Sequence, residues 1–411
     1  MRKLIIISAM LFLTLAITPL HALENFGDEN AAALKTIFNL KLSEFKAGKY
    51  FDASFLKAVP EDKIKQLLGN LGSRLGEFRL AVKTSEGSYN LIFSKGAMPS
   101  KISLSAGKLI KGLWFGAPTL ADDSFEKISE ELKKLDGTVS VAITRNGSEE
   151  LFLMNADAPL GVGSAFKLYV LKALDEKIKA GGCDNKTVIE LSRDKFSLPS
   201  GTLQSWPDKT PVTLKTLANF MISISDNTAT DILIDYIGRD GVERCAPERV
   251  RPLLKTLEMF KIKWGLSKKE RDGYVAAGLS GKRKILEDIA GMDKSKLKVE
   301  LSEPLLIGEI EWHITTRELC KVIYELKDNP SLAINPGLAD MDRWRNVGYK
   351  GGSEPGVLNY THILQSKKNG DLYSISATIN NETTEVQTEK FTELTGRLIS
   401  LIEEEKFKSS K

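Results

Sequence analysis

The chain has 411 residues, of which 42% are hydrophobic and 27% are charged, a mixture typical of globular proteins. This length is natural for two domains rather than one. The formal net charge is +4, and it falls to +2 if Arg2 and Lys3 leave with a cleaved leader segment. A balance so close to neutral argues against a strongly basic surface, so we expect no nucleic-acid or anionic-membrane partner.

The first residues are typical of a secretory signal peptide. Arg2 and Lys3 precede an apolar run over residues 4–17, and Ala22 provides a small residue at the end of a cleavage region. The alternative is an uncleaved membrane anchor, but the run is short for a span of about 20 residues. We therefore predict a signal peptide over residues 1–22, a periplasmic or secreted location, and no membrane span after cleavage.

A domain boundary is predicted near residues 116–119, where Gly and Pro interrupt the pattern. The segment before it begins with an amphipathic helix over 31–45 and continues with strands over 78–84 and 89–93. We expect a first domain over residues 23–116, with a helix packed on a small antiparallel sheet. This pattern resembles the small cystatin-like or NTF2-like α+β domains that precede some secreted hydrolases.

The second predicted domain covers residues 120–405. A polar helix over 123–135 precedes two strands over 138–144 and 150–155, and the region over 164–326 is mostly helical. The remaining elements are strands near 349–352, 357–365 and 372–379 and a helix over 387–404. Short Asn-Gly turns imply antiparallel pairing. The two ends of this segment should therefore supply one antiparallel sheet beside a helical lobe, with the site in the cleft between them.

Ser164 and Lys167 form a Ser-x-x-Lys pair at the start of an apolar helix. Positions i and i+3 of a helix share a face, so the Lys167 amine can lie beside the Ser164 hydroxyl. Burial lowers the pKa of a lysine, and a neutral amine can take the hydroxyl proton and activate the nucleophile. The same spacing occurs at six other serines, so the pair alone also fits a serine that caps a helix.

Two further motifs follow along the chain. Ser225-Asp226-Asn227 separates two apolar helices over 214–222 and 228–237, where it either caps a helix or points polar side chains into a cleft. Lys350-Gly351-Gly352-Ser353 lies on a predicted strand. Its glycines either form a bulge or allow the backbone of a ligand to approach closely.

In this order the three motifs resemble the Ser-x-x-Lys, Ser-Asp-Asn and Lys-Thr-Gly set of class A β-lactamases and penicillin-binding proteins. The segments over 221–233 and 312–319 resemble the same family around its second motif and after its omega loop. The resemblance covers about residues 123–404. It implies an α+β fold in which a class A β-lactamase-like domain follows the small first domain.

The resemblance implies a role for each motif. Ser164 is the acyl-accepting nucleophile and Lys167 its general base. Ser225 relays a proton to the leaving group, and Lys350 supplies positive charge for a substrate carboxylate. The backbone N–H groups of Ser164 and Ser353 form the oxyanion hole. The residues implied to bind the substrate are Asn227, Gly352 and Ser353.

Two features depart from the family pattern. The Glu-x-x-Leu-Asn motif, which supplies the deacylation base of class A enzymes, is missing, and Glu303-Pro304 is only a partial match. Gly351 stands where the family has a hydroxyl residue, which Ser353 is expected to replace. With a long segment over 240–310 and an extra first domain, the chain is more similar to cephalosporin-esterase-type serine hydrolases. We therefore expect an esterase or amidase with weak or slow β-lactam turnover.

Two alternatives remain open: a true class A-like β-lactamase or cell-wall D,D-peptidase, and a non-catalytic binding protein on the same fold. A Ser-His-Asp triad is disfavoured, because His21 leaves with the signal peptide and His313 and His362 fit structural positions. No metal or nucleotide motif occurs, so we expect no metal and no cofactor. The expected partner is a small-molecule ester, amide or β-lactam, and the oligomeric state is left open.

Overall fold

The computed structural model describes residues 28–405 and residue 407. The predicted signal peptide lies outside the described residues. The described chain divides into two compact units, one formed by residues 28–92 and 100–114, the other by residues 93–99 and those from 115 onward. Within the described residues, no helix is long and apolar enough to cross a membrane.

The first unit combines helices with a sheet in the strand order β1-β2-β3-β4. The first helix begins after Asp28, whose carboxylate accepts the backbone N–H groups of the next turn, and it is shorter than predicted. A helix over Glu61–Leu75 was not predicted, although its buried residues follow a helical spacing. The helices and strands before residue 121 are α1 Glu29–Asn39, α2 Ala53–Ala58, α3 Glu61–Leu75, β1 Phe78–Ser85, β2 Ser88–Phe93, β3 Gly96–Leu104, β4 Ile110–Phe115 and β5 Thr119–Leu120.

The second unit contains a five-stranded antiparallel sheet, whose strands lie in the order β12 (Asn346–Glu354), β13 (Val357–Gln365), β14 (Leu372–Asn380), β6 (Thr138–Arg145) and β7 (Glu149–Met154). The two ends of the segment supply its strands, which confirms the predicted antiparallel sheet. Its strands and flanking helices are α4 Phe125–Leu132, β6 Thr138–Arg145, β7 Glu149–Met154, β12 Asn346–Glu354, β13 Val357–Gln365, β14 Leu372–Asn380 and α13 Thr388–Glu403. One apolar core joins this sheet to α4 and α13.

The middle of the segment forms the predicted helical lobe around a second apolar core. Its elements are β8 Leu160–Gly161, α5 Lys167–Lys179, β9 Val188–Glu190, β10 Pro211–Thr213, α6 Leu214–Ser223, α7 Asn227–Ile237, α8 Arg239–Cys245, α9 Thr256–Phe260, α10 Lys268–Ala276, α11 Leu279–Asp288, β11 His313–Ile314 and α12 Thr316–Glu325. A π-helical turn over Lys261–Gly265 extends α9. The first half of α5 is fully buried, as its nearly all-apolar sequence predicts.

A buried ion pair ties the start of the second unit to its last helix. The guanidinium of Arg397 donates to both carboxylate oxygens of Asp123, and the Nε–Oδ2 distance is 2.9 Å. The two side chains are 1% and 0% exposed. Glu131 on α4 also accepts from Arg397, so this one cation holds α4 against α13.

We expect Asp123→Ala to lower the unfolding free energy by on the order of 3 kcal/mol, because it leaves the buried Arg397 guanidinium short of a partner. Chemical denaturation of the variant and the wild type measures this difference. Asp122→Ala is the matched control, since the neighbouring Asp122 side chain is exposed and pairs only with the exposed Lys127. Equal stability of the two variants would contradict the assignment.

Candidate active site

A cavity of about 550 Å³ in the second unit is lined by residues from all three motifs. The predicted site residues on its wall are Ser164, Ser225, Asn227, Lys350, Gly352 and Ser353. Lys167 lies behind this wall and is fully buried. The long segment before β11 also contributes to the wall, through Thr256, Met259, Phe260 and Leu301.

Ser164 lies on a short 3-10 helix, Gly163–Phe166, that leads directly into α5. Its side chain is partly exposed in the cavity, while the residues on either side of it are buried. The N–H groups of a first helical turn have no partner within the helix, and they favour negative charge. Ser164 therefore stands at the predicted place, with a tighter turn than a regular α-helix.

Lys167 is held by three acceptors at the break between α6 and α7. Its Nζ contacts the carbonyl oxygen of Ser225 at 2.6 Å, Oδ1 of Asn227 at 2.7 Å and Oγ of Ser225 at 3.2 Å. Oγ of Ser164 is not one of these partners. The structure thus brings the Lys167 amine to the second motif, and Ser164 lines the same cavity.

Ser225 takes a left-handed backbone conformation, with φ of 59°. Such a conformation is unfavourable for a serine and persists only where the surroundings impose it. The next residue supplies part of this constraint: Oδ2 of Asp226 accepts N–H groups of Thr202 and Leu203, and Oδ1 accepts that of Ala229. Asp226 thereby fixes the α6–α7 break and points the Ser225 hydroxyl into the cavity.

Lys350 on β12 contacts the same hydroxyl from the opposite side. Its Nζ donates to Oγ of Ser225 at 3.1 Å and to the carbonyl oxygen of Gly351. Ser225 therefore lies between two buried amines, those of Lys350 and Lys167, in a continuous hydrogen-bonded chain.

Burial controls the protonation of both lysines. Desolvation lowers the pKa of Lys167 to about 7, although the negative charges of Asp231 and Asp226 oppose this shift. Desolvation, followed by the positive charge of Lys167, lowers the pKa of Lys350 well below its ordinary value. A neutral amine has two N–H donors and one lone pair. In neutral Lys167 the two N–H groups can donate to the carbonyl oxygen of Ser225 and to Oδ1 of Asn227, neither of which can donate. The lone pair can accept the hydroxyl proton of Ser225.

Two glycines allow β12 to approach the turn that carries Ser164. A Cβ on Gly352 would lie 2.1 Å from the carbonyl oxygen of Val162 and 2.5 Å from the backbone nitrogen of Ser164. Gly163 has φ of 49°, and a Cβ there would lie 3.0 Å from the backbone nitrogen of Ser353. The backbone N–H groups of Ser164 and Ser353 are therefore brought close together, as a pair of oxyanion donors requires.

The structure also explains the glycine in the third motif. A Cβ on Gly351 would lie 2.1 Å from the hydroxyl of Tyr349 and 2.8 Å from the carbonyl oxygen of Asn359. No side chain fits there, so a hydroxyl residue at position 351 is excluded by packing. Ser353 is exposed and lines the cavity, so it can offer a hydroxyl there, whereas Gly351 has none.

Other candidate side chains lie away from the cavity. Nε2 of His362 accepts the backbone N–H of Leu338 at 3.1 Å, and burial lowers the pKa of this imidazole to about 3. His313 lies 2.9 Å from the carbonyl oxygen of Ile307, and Glu303 is exposed to solvent. None of these three lines the cavity. Among the described residues, no cluster of three His, Cys, Asp or Glu side chains could hold a metal ion.

Sequence reasoning missed a carboxylate on the cavity wall. Glu354 follows Ser353 on β12 and lines the cavity, with Lys263 and Glu311 packed against it. One signal was available, because Glu354 shares a strand face with Lys350 and Gly352. The partners of Glu354 gave no signal in the sequence, since they come from distant segments.

Comparison with known proteins agrees with this site. Residues 123–256, which include the first two motifs, match the Beta-lactamase enzyme family. Over 122 residues the chain is 28% identical to the β-lactamase VEB-1 of Pseudomonas aeruginosa, a match that covers 29% of this chain and 40% of that enzyme. The region that carries the first two motifs, residues 123–256, is therefore similar to the serine β-lactamases, and the chain spans less than half the length of the curated relative that it matches.

The chain also resembles solved structures at low sequence identity. A β-lactamase of Sphaerobacter thermophilus DSM 20745 has a TM-score of 0.45 and 19% identity, and the match covers 68% of this chain and 97% of that one. A structure of PBP-A has a TM-score of 0.46 and 15% identity, with 68% and 95% of the two chains covered.

We expect Gly352→Ala to slow covalent labelling of Ser164 by a fluorophosphonate by about 10²-fold, because the added methyl group displaces the turn that carries the nucleophile. Time-resolved intact mass spectrometry measures the labelling rate. Gly273→Ala is the control, since a Cβ at this position of α10 meets nothing within 4 Å. Alanine is also favoured over glycine inside a helix, so this variant should fold. Unchanged labelling of the Gly352 variant would show that this close approach is dispensable.

From the pKa of Lys167, about 7, we expect the rate of covalent labelling of Ser164 to depend on pH. Below this pKa the ammonium has no lone pair to accept a proton, so the labelling rate should fall as the pH falls and should reach a plateau on the alkaline side. Lys167→Arg keeps the positive charge at every accessible pH and should abolish labelling. A rate that does not change across neutral pH would contradict a role for the neutral amine.

Proposed function

We propose that the protein is a serine hydrolase that forms an acyl-enzyme on Ser164 and turns over small esters or amides, with slow turnover of β-lactams. The observation that carries this proposal is the hydrogen-bonded chain from Lys350 through Ser225 to Lys167, placed on the cavity that Ser164 lines. Two buried lysines around one hydroxyl are costly for stability, and they supply a base and a proton relay.

Acylation would proceed in two parts. Oγ of Ser164 bonds to the carbonyl carbon of the substrate while Lys167 takes its proton, and the N–H groups of Ser164 and Ser353 receive the negative oxygen. The bond to the leaving group then breaks. Ser225 donates a proton to the departing atom and regains one from the lysines on either side.

Slow β-lactam turnover follows from the position of Glu303. A penicilloyl ester needs a water molecule that is held and deprotonated beside it, and the family places a glutamate of the omega loop there. Glu303 is exposed and does not line the cavity. Losing a positioned base costs typically about 10²–10⁴-fold in rate.

A second candidate function is that of a true β-lactamase or a D,D-peptidase. The similarity to VEB-1, a named β-lactamase, favours it. A non-catalytic binding protein is less well supported. Apolar side chains of similar volume would stabilise the fold at least as well as the buried amines of Lys167 and Lys350, so a purely structural role does not explain these lysines.

Ser164→Ala should abolish labelling by both a penicillin and a fluorophosphonate, each followed by intact mass spectrometry. Ser295→Ala is a matched control, because Ser295 also stands three residues before a lysine but is exposed and outside the cavity. If the Ser164 variant is still labelled, the nucleophile is another residue.

Steady-state hydrolysis separates the two candidate functions. We expect p-nitrophenyl esters to turn over while nitrocefin leaves a long-lived adduct, and we expect Glu303→Gln to change neither result. Rapid nitrocefin turnover that collapses in this variant would identify a working β-lactamase whose omega loop closes onto the site, and the esterase proposal would be wrong.

A further inference from the structure

Three charged side chains from three separate segments meet at the wall of the cavity. Nζ of Lys263, on the π-helical turn, lies 2.6 Å from Oε1 of Glu354, and these side chains are 1% and 11% exposed. Glu311, on the segment before β11, is 8% exposed. Its Oε1 accepts the backbone N–H of Trp312, and its carboxyl group faces that of Glu354.

This arrangement is costly for a structural role. Two carboxyl groups and one ammonium are removed from water, and Oε2 of Glu311 has no hydrogen-bond partner among the described residues. Desolvation, followed by the charge of Glu354, raises the pKa of Glu311 well above its usual value. Burial and the neighbouring carboxylate therefore both favour the protonated form of Glu311, beside the ion pair of Lys263 and Glu354.

The register of β12 puts Glu354 on the strand face that Lys350 and Gly352 also occupy. β12 pairs with β13 without a bulge from Asn346 to Glu354, so Lys350, Gly352 and Glu354 share one face of the strand. On this face Lys350 reaches Ser225, and the missing side chain of Gly352 faces the nitrogen of Ser164. Glu354 follows Gly352 by two residues, or about 7 Å along the strand.

We propose that Glu354 is the general base that activates water for deacylation of acyl-Ser164, and that Lys263 and Glu311 position its carboxylate. This inference rests on the acyl-enzyme function proposed above and deepens it. The family's omega-loop glutamate is replaced here by a residue of the strand that also forms the oxyanion site.

The deacylation step transfers one proton and exchanges one bond. Glu354 takes a proton from water as the water oxygen bonds to the acyl carbon, and the negative oxygen lies at the N–H groups of Ser164 and Ser353. The bond between the acyl carbon and Oγ of Ser164 then breaks. Oγ takes the proton that Glu354 removed from water, so the product leaves as a carboxylic acid and Glu354 returns to its carboxylate form.

The position of Glu354 also selects the acyl group. Ser225 and Lys350 lie on one side of Gly352 along β12, and Glu354 lies on the other. Because the leaving group departs on the Ser225 side, the acyl chain extends toward Glu354. A short acyl group leaves room for water there, whereas a long or bulky one displaces it. The substrates that this site turns over are therefore esters of short carboxylic acids.

Acetyl and decanoyl p-nitrophenyl esters test this proposal on the full chain. The burst of p-nitrophenol measures acylation, and the decay of the adduct in intact mass spectra measures deacylation. Glu354→Gln should keep the burst and slow the loss of the acetyl adduct by about 10²–10⁴-fold. The decanoyl adduct should be long-lived already in the wild type, with little further change in the variant.

Further variants protect this test against a loss of folding. The double variant Lys263→Met with Glu354→Gln removes both charges of the buried pair, so no ammonium is left unpaired. It should slow deacylation as much as Glu354→Gln alone. Glu311→Gln should slow deacylation more weakly while the burst is kept. Glu303→Gln is the exposed control and should behave as the wild type.

The possible outcomes separate the two proposals. If Glu354→Gln and the double variant both keep the burst and lose the acetyl adduct at the wild-type rate, the proposed role of Glu354 is wrong. It is also wrong if these variants lose the burst as well as the decay of the adduct. A wild type that forms no adduct on Ser164 would instead refute the serine hydrolase function. Slow decay with an intact burst in both variants supports the proposal.

Discussion

The hydroxyl of Ser225, held between two buried amines, is the interaction on which the site depends. Within the part of the chain that the structure describes, neither lysine has a carboxylate among its hydrogen-bond partners: Lys167 contacts Ser225 and Asn227, and Lys350 contacts Ser225 and a carbonyl oxygen. Ammonium groups without a counter-ion are poorly tolerated in a protein interior, and this lowers their affinity for protons. Burial beside the core of the helical lobe thus lowers the pKa of Lys167 to about 7.

Rigid surroundings are needed to maintain this arrangement. Asp226 fixes the break that holds Ser225, and Asp231 accepts two N–H groups at the start of α9, which contributes to the cavity wall. Phe166 stacks on Trp312 with ring centroids 3.9 Å apart, which ties the turn after Ser164 to the segment before β11. These contacts connect segments far apart in the chain, so the geometry of the site is a property of the whole second unit.

Strand β12 supplies several parts of the chemistry through its alternation. On one face Lys350 contacts the Ser225 hydroxyl, Gly352 lets the backbone approach Ser164, and Glu354 lines the cavity. The residue between the last two, Ser353, offers its backbone N–H near Gly163. A strand held by an unbroken ladder positions such groups more precisely than a loop does, since each pair of hydrogen bonds fixes its neighbours.

The sequence by itself determined the elements with strong local signals and the three motifs. Strand β13 was predicted with the bounds that the structure has, and α5 was predicted from an apolar run that needs burial on all sides. Local patterns failed for α3, whose polar residues and three glycines or serines near its end obscured the helical spacing. Tertiary structure alone decided that Lys167 contacts Ser225 rather than Ser164, that no side chain fits at Gly351, and that Glu354 meets Lys263 and Glu311. Periodicity shows which face a residue occupies, but the partner on that face comes from a distant segment and is fixed only when the core packs.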